Sequence, residues 1–160
     1  MTYAELREVR HVNGGPGTSV SLRGVVEADL EVFFQQQLEP EATAMAAFPA
    51  RGRDAHFAHW NKILGDATII TRTITSGDGV AGNIVSWVQD GHREIGYWMG
   101  KGYWGKGIAT AALQQFVNII GERPLGAWVA RHNAASIHVL EKSGFAPEGE
   151  HEDHLIYRLD

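Results

Sequence analysis

Gly100-Lys101-Gly102-Tyr103-Trp104-Gly105-Lys106-Gly107-Ile108-Ala109-Thr110 is the stretch on which the reading of the fold turns. Before it, Glu94 to Met99 reads as a strand. After it, Ala109, Leu113, Phe116, Val117 and Ile120 recur at i, i+4, i+7, i+8 and i+11, one face of a helix expected over Trp104 to about Ile120. A glycine-rich link between strand and helix combines unpaired backbone N–H groups with the positive end of a helix dipole, an arrangement suited to phosphate. The letters satisfy more than one such loop. A P-loop requires GxxxxGK and then Ser or Thr; Gly100 through Lys106 fit, but Gly107 stands where the magnesium-binding hydroxyl belongs. Gly100, Gly102 and Gly105 spell GxGxxG, yet that fingerprint belongs to a parallel strand–helix–strand unit opening its sheet.

The preceding chain argues against such an opening. Thr68-Ile69-Ile70 to Thr75, Val80 to Val88 and Glu94 to Met99 are three strands separated by Ser76-Gly77-Asp78-Gly79 and Asp90-Gly91. Asp-Gly between alternating segments is a strong hairpin signal, so these strands form an antiparallel meander. Further upstream, Val20 and Leu22 alternate as a first strand. Helices are expected over Asp29–Leu38, over Glu41–Phe48 after Pro40, and over Arg53–Leu64, where Phe57, Trp60 and Leu64 share a face. Downstream of the loop helix come a strand, Leu125 to Ala130, and a helix from Ala134 to Ser143 that Gly144 terminates. Two last strands, near Phe145–Glu150 and His154–Leu159, complete the chain. Residues 1–18, ending in Asn13-Gly14-Gly15-Pro16-Gly17, read as an N-terminal extension or an extra strand, leaving 19–160 as the domain. The fold class is α+β, with a mostly antiparallel sheet and one strand–helix–strand crossover.

Two ordered motifs carry a family resemblance. Tyr103 through Thr110, with Gly105-Lys106-Gly107, resembles the pyrophosphate loop of the GNAT acetyltransferase superfamily, in its RimJ/RimL-like branch. Asn133-Ala134-Ala135-Ser136 followed by Val139-Leu140-Glu141-Lys142-Ser143-Gly144-Phe145 looks like that family's N-x-x-S…L-E-K-x-G-F. Gln37-Leu38-Glu39-Pro40-Glu41-Ala42 and His59-Trp60 are also similar to segments of the branch. The resemblance spans roughly residues 19–159. It implies the GNAT fold, a central sheet of about seven strands flanked by helices, and acetyl-coenzyme A as co-substrate with no metal. Glycines at 105 and 107 suit that role, because a main chain without Cβ atoms can approach a pyrophosphate closely. The same glycines could simply form a tight turn.

The resemblance also implies roles. Main-chain N–H groups around Trp98, Met99 and Gly100 would hold the thioester carbonyl, and Gly105, Lys106, Gly107, Ile108, Ala109 and Thr110 would take the pyrophosphate. Asn133 would bond the cofactor, although asparagine is equally a good helix N-cap. Ser136 is the candidate to protonate the leaving thiolate, or else it satisfies helix donors. Relatives in the wider superfamily place a tyrosine where this chain has Leu140, and glutamine or arginine where it has Gly102. An alkyl ammonium of pKa ~10.4 is only about one part in a few thousand neutral at pH 7, so a proton acceptor is needed. Glu94 is the first candidate base, acting directly or through water, alternatively a solvated strand carboxylate. Glu41 and His59, on helices that line the substrate side in relatives, follow. Trp87, Tyr97 and Trp98 could wall a cation site or belong to the core.

Composition limits the alternatives. The chain has 160 residues, 44% hydrophobic, enough for one domain with a core. It has no cysteine, which excludes disulfides, a thiolate nucleophile and cysteine-bound zinc. His56 and His59 share a helical face, but no third ligand lies nearby in sequence. A net charge of −5 disfavours nucleic acid and is compatible with a cationic substrate. No apolar run approaches the ~18 residues of a membrane span, and the N-terminus lacks signal-peptide features, so the expected location is cytoplasmic. The acceptor is expected to be a small-molecule or peptide amine, with a homodimer the expected assembly.

Overall fold

The computed structural model describes residues 12–13 and 19–160. Eight strands form one sheet in the order β1-β2-β3-β4-β5-β6-β8-β7. They are β1 (Val12–Asn13), β2 (Ser19–Arg23), β3 (Ile70–Ser76), β4 (Gly79–Gln89), β5 (His92–Met99), β6 (Leu125–Ala130), β7 (Ala146–His151) and β8 (His154–Leu159). The expected seven strands are therefore present, and two residues of the N-terminal stretch add an eighth at the edge. Otherwise the expectation for residues 1–18 lies outside the described residues. Every neighbouring pair is antiparallel except β5 and β6.

Five helices cover the sheet: α1 (Glu27–Gln37), α2 (Pro40–Ala46), α3 (Arg53–Leu64), α4 (Ile108–Ile119) and α5 (Ala134–Lys142). Strand alternation sends Ile95 and Met99 of β5 and Leu125, Ala127 and Val129 of β6 to one face, where Ala112, Leu113 and Phe116 of α4 and Leu140 of α5 bury them. On the opposite face, Leu30 and Phe33 of α1 pack on Trp60 and Ile63 of α3. The buried face of α3 is His56, Trp60 and Ile63 rather than the expected line through Leu64, which is exposed. The His56 ring is bonded to the Leu30 carbonyl at 2.9 Å, which keeps a polar side chain inside this layer.

The helix after the glycine loop begins at Ile108, four residues later than the expected Trp104. The reason is backbone conformation. Gly105 and Gly107 have φ of +73° and +75°, a left-handed geometry that an α-helix cannot contain, while Lys101–Tyr103 form a separate 3-10 turn.

Asp29 fastens α1 to the sheet. Its carboxylate, buried, accepts from Arg23 of β2 at 2.7 and 2.8 Å, from the Val26 N–H at 3.0 Å and from the Thr73 hydroxyl of β3 at 2.7 Å. Burial alone would raise its pKa, but the bonds from Arg23, Val26 and Thr73 together hold it below the ordinary carboxylate value. The folded state thus favours the ionised form. That contribution is present above the unfolded value of about 3.9 and is lost as pH falls through the lower folded one. Asp29→Ala is expected to lower the unfolding free energy by about 2–3 kcal/mol near neutral pH. In urea titrations the gap between the variant and the parent narrows as pH drops below about 4; a pH-independent gap would contradict this account.

Candidate active site

β5 and β6 pair at only two positions, Arg93 with Leu125 and Glu94 with Gly126. Beyond them the strands diverge, since β6 continues against β8 along its full length. The result is a V-shaped opening in the sheet. Gly100 donates its N–H to Ala81 of β4 at 2.8 Å, so by strand alternation Trp98 also turns its main chain toward β4. Tyr97 and Met99 turn theirs into the V. The Met99 carbonyl accepts the Trp104 indole N–H at 3.1 Å, which leaves its N–H facing the opening. Of the three main-chain donors expected around Trp98, Met99 and Gly100, the geometry therefore offers Met99, and Tyr97 joins it.

A cavity of about 450 Å³ follows the V on the α4–α5 side. Tyr97, Trp98 and Met99 line its β5 wall, and the glycine loop and the first turns of α4 and α5 line the rest. Gly105, Gly107, Ile108, Ala109 and Thr110 all face it. A Cβ built on Gly105 or Gly107 meets nothing within 4 Å, so both glycines front open space. The first N–H groups of the twelve-residue α4 have no partner within the helix and point into that space. Lys106 is next to the cavity but does not line it; its Nζ lies 6.0 Å from the Tyr103 ring centroid. This combination of donors, helix terminus and open main chain fits a pyrophosphate.

Asn133 both caps α5, accepting from the Ser136 N–H at 3.2 Å, and lines the cavity. Ser136 Oγ accepts a hydrogen bond from the Tyr97 hydroxyl at 2.9 Å. Burial pushes Tyr97 up to about 12, against a smaller opposing effect of the Ser136 bond, so the phenol is a proton donor throughout the physiological range. Because its O–H donates to Ser136 Oγ, the serine's own hydroxyl hydrogen is free for another acceptor. This partner of Ser136 was not identified from sequence. Tyr97 read there as one strand aromatic among several, and only the pairing across to α5 singles it out.

A second cavity, about 570 Å³, lies on the opposite side of β5 beneath α1 and α3. His59, Trp60, Trp87 and Arg51 line it. Tyr97 and Trp98 belong to both cavities, so the two spaces adjoin at the V. The Trp98 indole donates to the Gln36 carbonyl at 3.2 Å, which fixes this dividing side chain to α1. Burial lowers the His59 pKa below 6.5, and the charges of Arg51, His56 and Lys62 lower it further.

Two expected residues lie elsewhere. Glu94 lines neither large cavity; it faces a smaller one with His92, Trp128 and Glu148, and a Cβ on Gly126 would lie 2.6 and 2.8 Å from its carboxylate oxygens. Burial raises its pKa, and its Oε2 is buried without a hydrogen bond. The Trp87 ring covers Gly96, the residue between Glu94 and Trp98 on that strand face, and so stands between the carboxylate and the second cavity. Glu41 lines neither large cavity and pairs with Lys101 at 3.0 Å. Its neighbours Ala42, Met45 and Ala46 instead close the end of the first cavity. Among the described residues no three acidic, histidine or cysteine side chains are gathered as a metal site, and no helix is long and apolar enough to cross a membrane.

Comparison with known proteins agrees with this architecture. The structure resembles a GNAT-family acetyltransferase from Bacillus anthracis (TM-score 0.76, 19% identity, covering 88% of this chain and 93% of that one). It also resembles the spermidine N-acetyltransferase of Vibrio cholerae, solved with CoA and spermine (TM-score 0.73, 16% identity, 87% and 92%). A third similar structure is RimL, a ribosomal L7/L12 alpha-N-protein acetyltransferase in complex with coenzyme A (TM-score 0.74, 20% identity, 88% and 93%). No curated protein matches in sequence. The sequence profile of the acetyltransferase (GNAT) domain matches residues 19–146, and the chain belongs to that family.

Proposed function

We propose that the protein is an acetyl-coenzyme A-dependent N-acetyltransferase acting on a primary amine. The observation that carries this reading is the pair of cavities meeting at Tyr97 and Trp98, one built for a pyrophosphate-bearing ligand and one lined by side chains of α3. Direct transfer needs this meeting, because donor and acceptor must share one space without a covalent enzyme intermediate. The two sequence motifs favour the RimJ/RimL-like branch.

Acetyl-coenzyme A supplies an activated acyl group: a C–N bond forms as the C–S bond breaks, the amine gives up a proton and the thiolate gains one. The protein's residues serve each requirement. The glycine loop and the N-terminus of α4 hold the pyrophosphate, and Tyr97 and Met99 offer main-chain groups along the V. The Met99 N–H takes the carbonyl oxygen as its charge grows. Ser136 gives the thiolate its proton, and the Tyr97 hydroxyl behind it passes its own to Ser136. Tyr97 regains a proton from solvent as the products leave, while the amine's proton is released. Glu94, screened by Trp87, is not placed to take the amine proton directly, and we assign that step to His59. This imidazole is neutral near pH 7 because burial holds its pKa down, and it lines the acceptor cavity itself.

These assignments give distinct outcomes. Acetyl-CoA and coenzyme A at about 100 times Kd should each stabilise the protein by roughly 2.7 kcal/mol in thermal unfolding, whereas NAD and ATP should not. Gly107→Val, which forces a β-branched residue into left-handed geometry and fills the loop's open space, should abolish that stabilisation; an unchanged response would mean the loop is misassigned. His59→Gln should reduce kcat about 100-fold, while Glu94→Gln should have only a minor effect. The parent's advantage over His59→Gln should shrink as pH falls through the lowered imidazole pKa. If Glu94→Gln proves the slower variant, the assigned base is wrong. Tyr97→Phe should impair turnover less than Ser136→Ala, and equal, negligible effects of both would remove the relay.

A further inference from the structure

The acceptor cavity has the opposite charge to the chain as a whole. The net charge is −5, yet the cavity is lined by Arg51, His56, His59 and Lys62 against one acid, Asp66. One oxygen of that acid, Oδ1, is engaged in its own turn, accepting from the Thr68 N–H at 2.9 Å and the Thr68 hydroxyl at 2.6 Å. Neither Arg51 nor Lys62 forms an ion pair among the described residues.

Arg51 is also held in place. Gln37 of α1 clamps its main chain twice: the Arg51 N–H donates to Oε1 at 2.7 Å and its carbonyl accepts from Nε2 at 3.0 Å. Its guanidinium lies 5.0 Å from the Phe48 ring centroid, with Phe48 in the same cavity wall. With its main chain anchored on α1 and no carboxylate partner among the described residues, the Arg51 guanidinium offers a planar fork of donors to whatever enters. Burial lowers the pKa of both His56 and His59, with the Arg51 charge contributing in each case, so the two imidazoles add little positive charge near neutral pH. Around them the wall is aromatic, with Phe33, Trp60, Trp87 and Trp98.

Resting on the assignment of this cavity to the acceptor, we infer that the acceptor is an amine carrying a carboxylate on an aromatic or apolar body, with Arg51 binding the carboxylate. A polyamine or polycationic amino sugar would bring several like charges against Arg51 and Lys62 with Asp66 the one acid in the lining to receive them. The same positive field favours the neutral form of the acceptor amine, the form that reacts. The chain's overall acidity, compatible with a cationic substrate, is thus not the sign the cavity presents.

The test compares L-tryptophan, L-tryptophanamide, tryptamine and spermidine as acceptors in an acetyl-CoA thiol-release assay. Alongside it, calorimetry measures binding of N-acetyl-L-tryptophan and its amide to the full chain, with and without coenzyme A. L-tryptophan should exceed its amide and tryptamine by at least about tenfold in kcat/KM, with spermidine poorest, and the acetylated acid should bind more tightly than the acetylated amide. Arg51→Gln should erase these preferences while keeping the stabilisation by coenzyme A. A preference for spermidine or tryptamine, equal binding of acid and amide, or an Arg51→Gln variant that keeps the preference would overturn the inference. Loss of the coenzyme A response in the parent protein would instead overturn the acetyltransferase reading, and the calorimetry on free protein would still report the cavity's preference for anions.

Discussion

The parting of β5 from β6 after two residue pairs is the constraint on which the rest of the site depends. A continuous ladder would consume the main-chain groups of Tyr97 and Met99 and leave no passage between the faces of the sheet. Local contacts set where the parting begins. Gly126 has no side chain, which admits the Glu94 carboxylate beside it, and Arg93 is tied to Glu122 at 2.8 Å and to the Ser86 hydroxyl at 3.2 Å. Past that point β5 finds its partners elsewhere, through Tyr97 to Ser136 on α5 and through Met99 to the Trp104 indole. Glu94 is thus understood as part of the apex of the V.

The helices around the opening have unequal tasks. On one side, α4 and α5 bring two helix N-termini to one cavity, which suits a ligand rich in negative charge. On the other side, α1, α3 and the loop before α3 bring aromatic side chains together with Arg51 and Lys62 against one acid, Asp66. His132, on the turn between β6 and α5, is bonded to the Ala44 carbonyl of α2 at 2.7 Å, joining the two sides at the open end. Buried bonds such as those of Asp29 keep α1 in register with β2 and β3, and α1 in turn fixes Trp98 and Arg51.

Much of this was legible in the sequence, because the signals were local. Asp90-Gly91, the periodicity of α4, Pro40 at the start of α2 and Gly144 after α5 each report on a few neighbouring residues. The periodicity of Ala109 to Ile120 reports the loop helix but not where it starts, because left-handed glycines at 105 and 107 exclude helical geometry by conformation. What sequence could not supply was pairing across the fold. Tyr97 meets Ser136 thirty-nine residues away, and Trp87 screens Glu94 only once β4 and β5 are aligned. Net charge is limited for the same reason, since a sum over the chain says nothing about which charges converge on one cavity.

Amide hydrogen exchange with and without coenzyme A tests the central claim most directly, since the claim is that the V and the glycine loop together bind the cofactor through main-chain groups. The account predicts slowed exchange at Tyr97 and Met99 and across Gly105 to Thr110, with little change at Arg51 or His59. Protection confined to the α1–α3 cavity, or absent from β5, would contradict it.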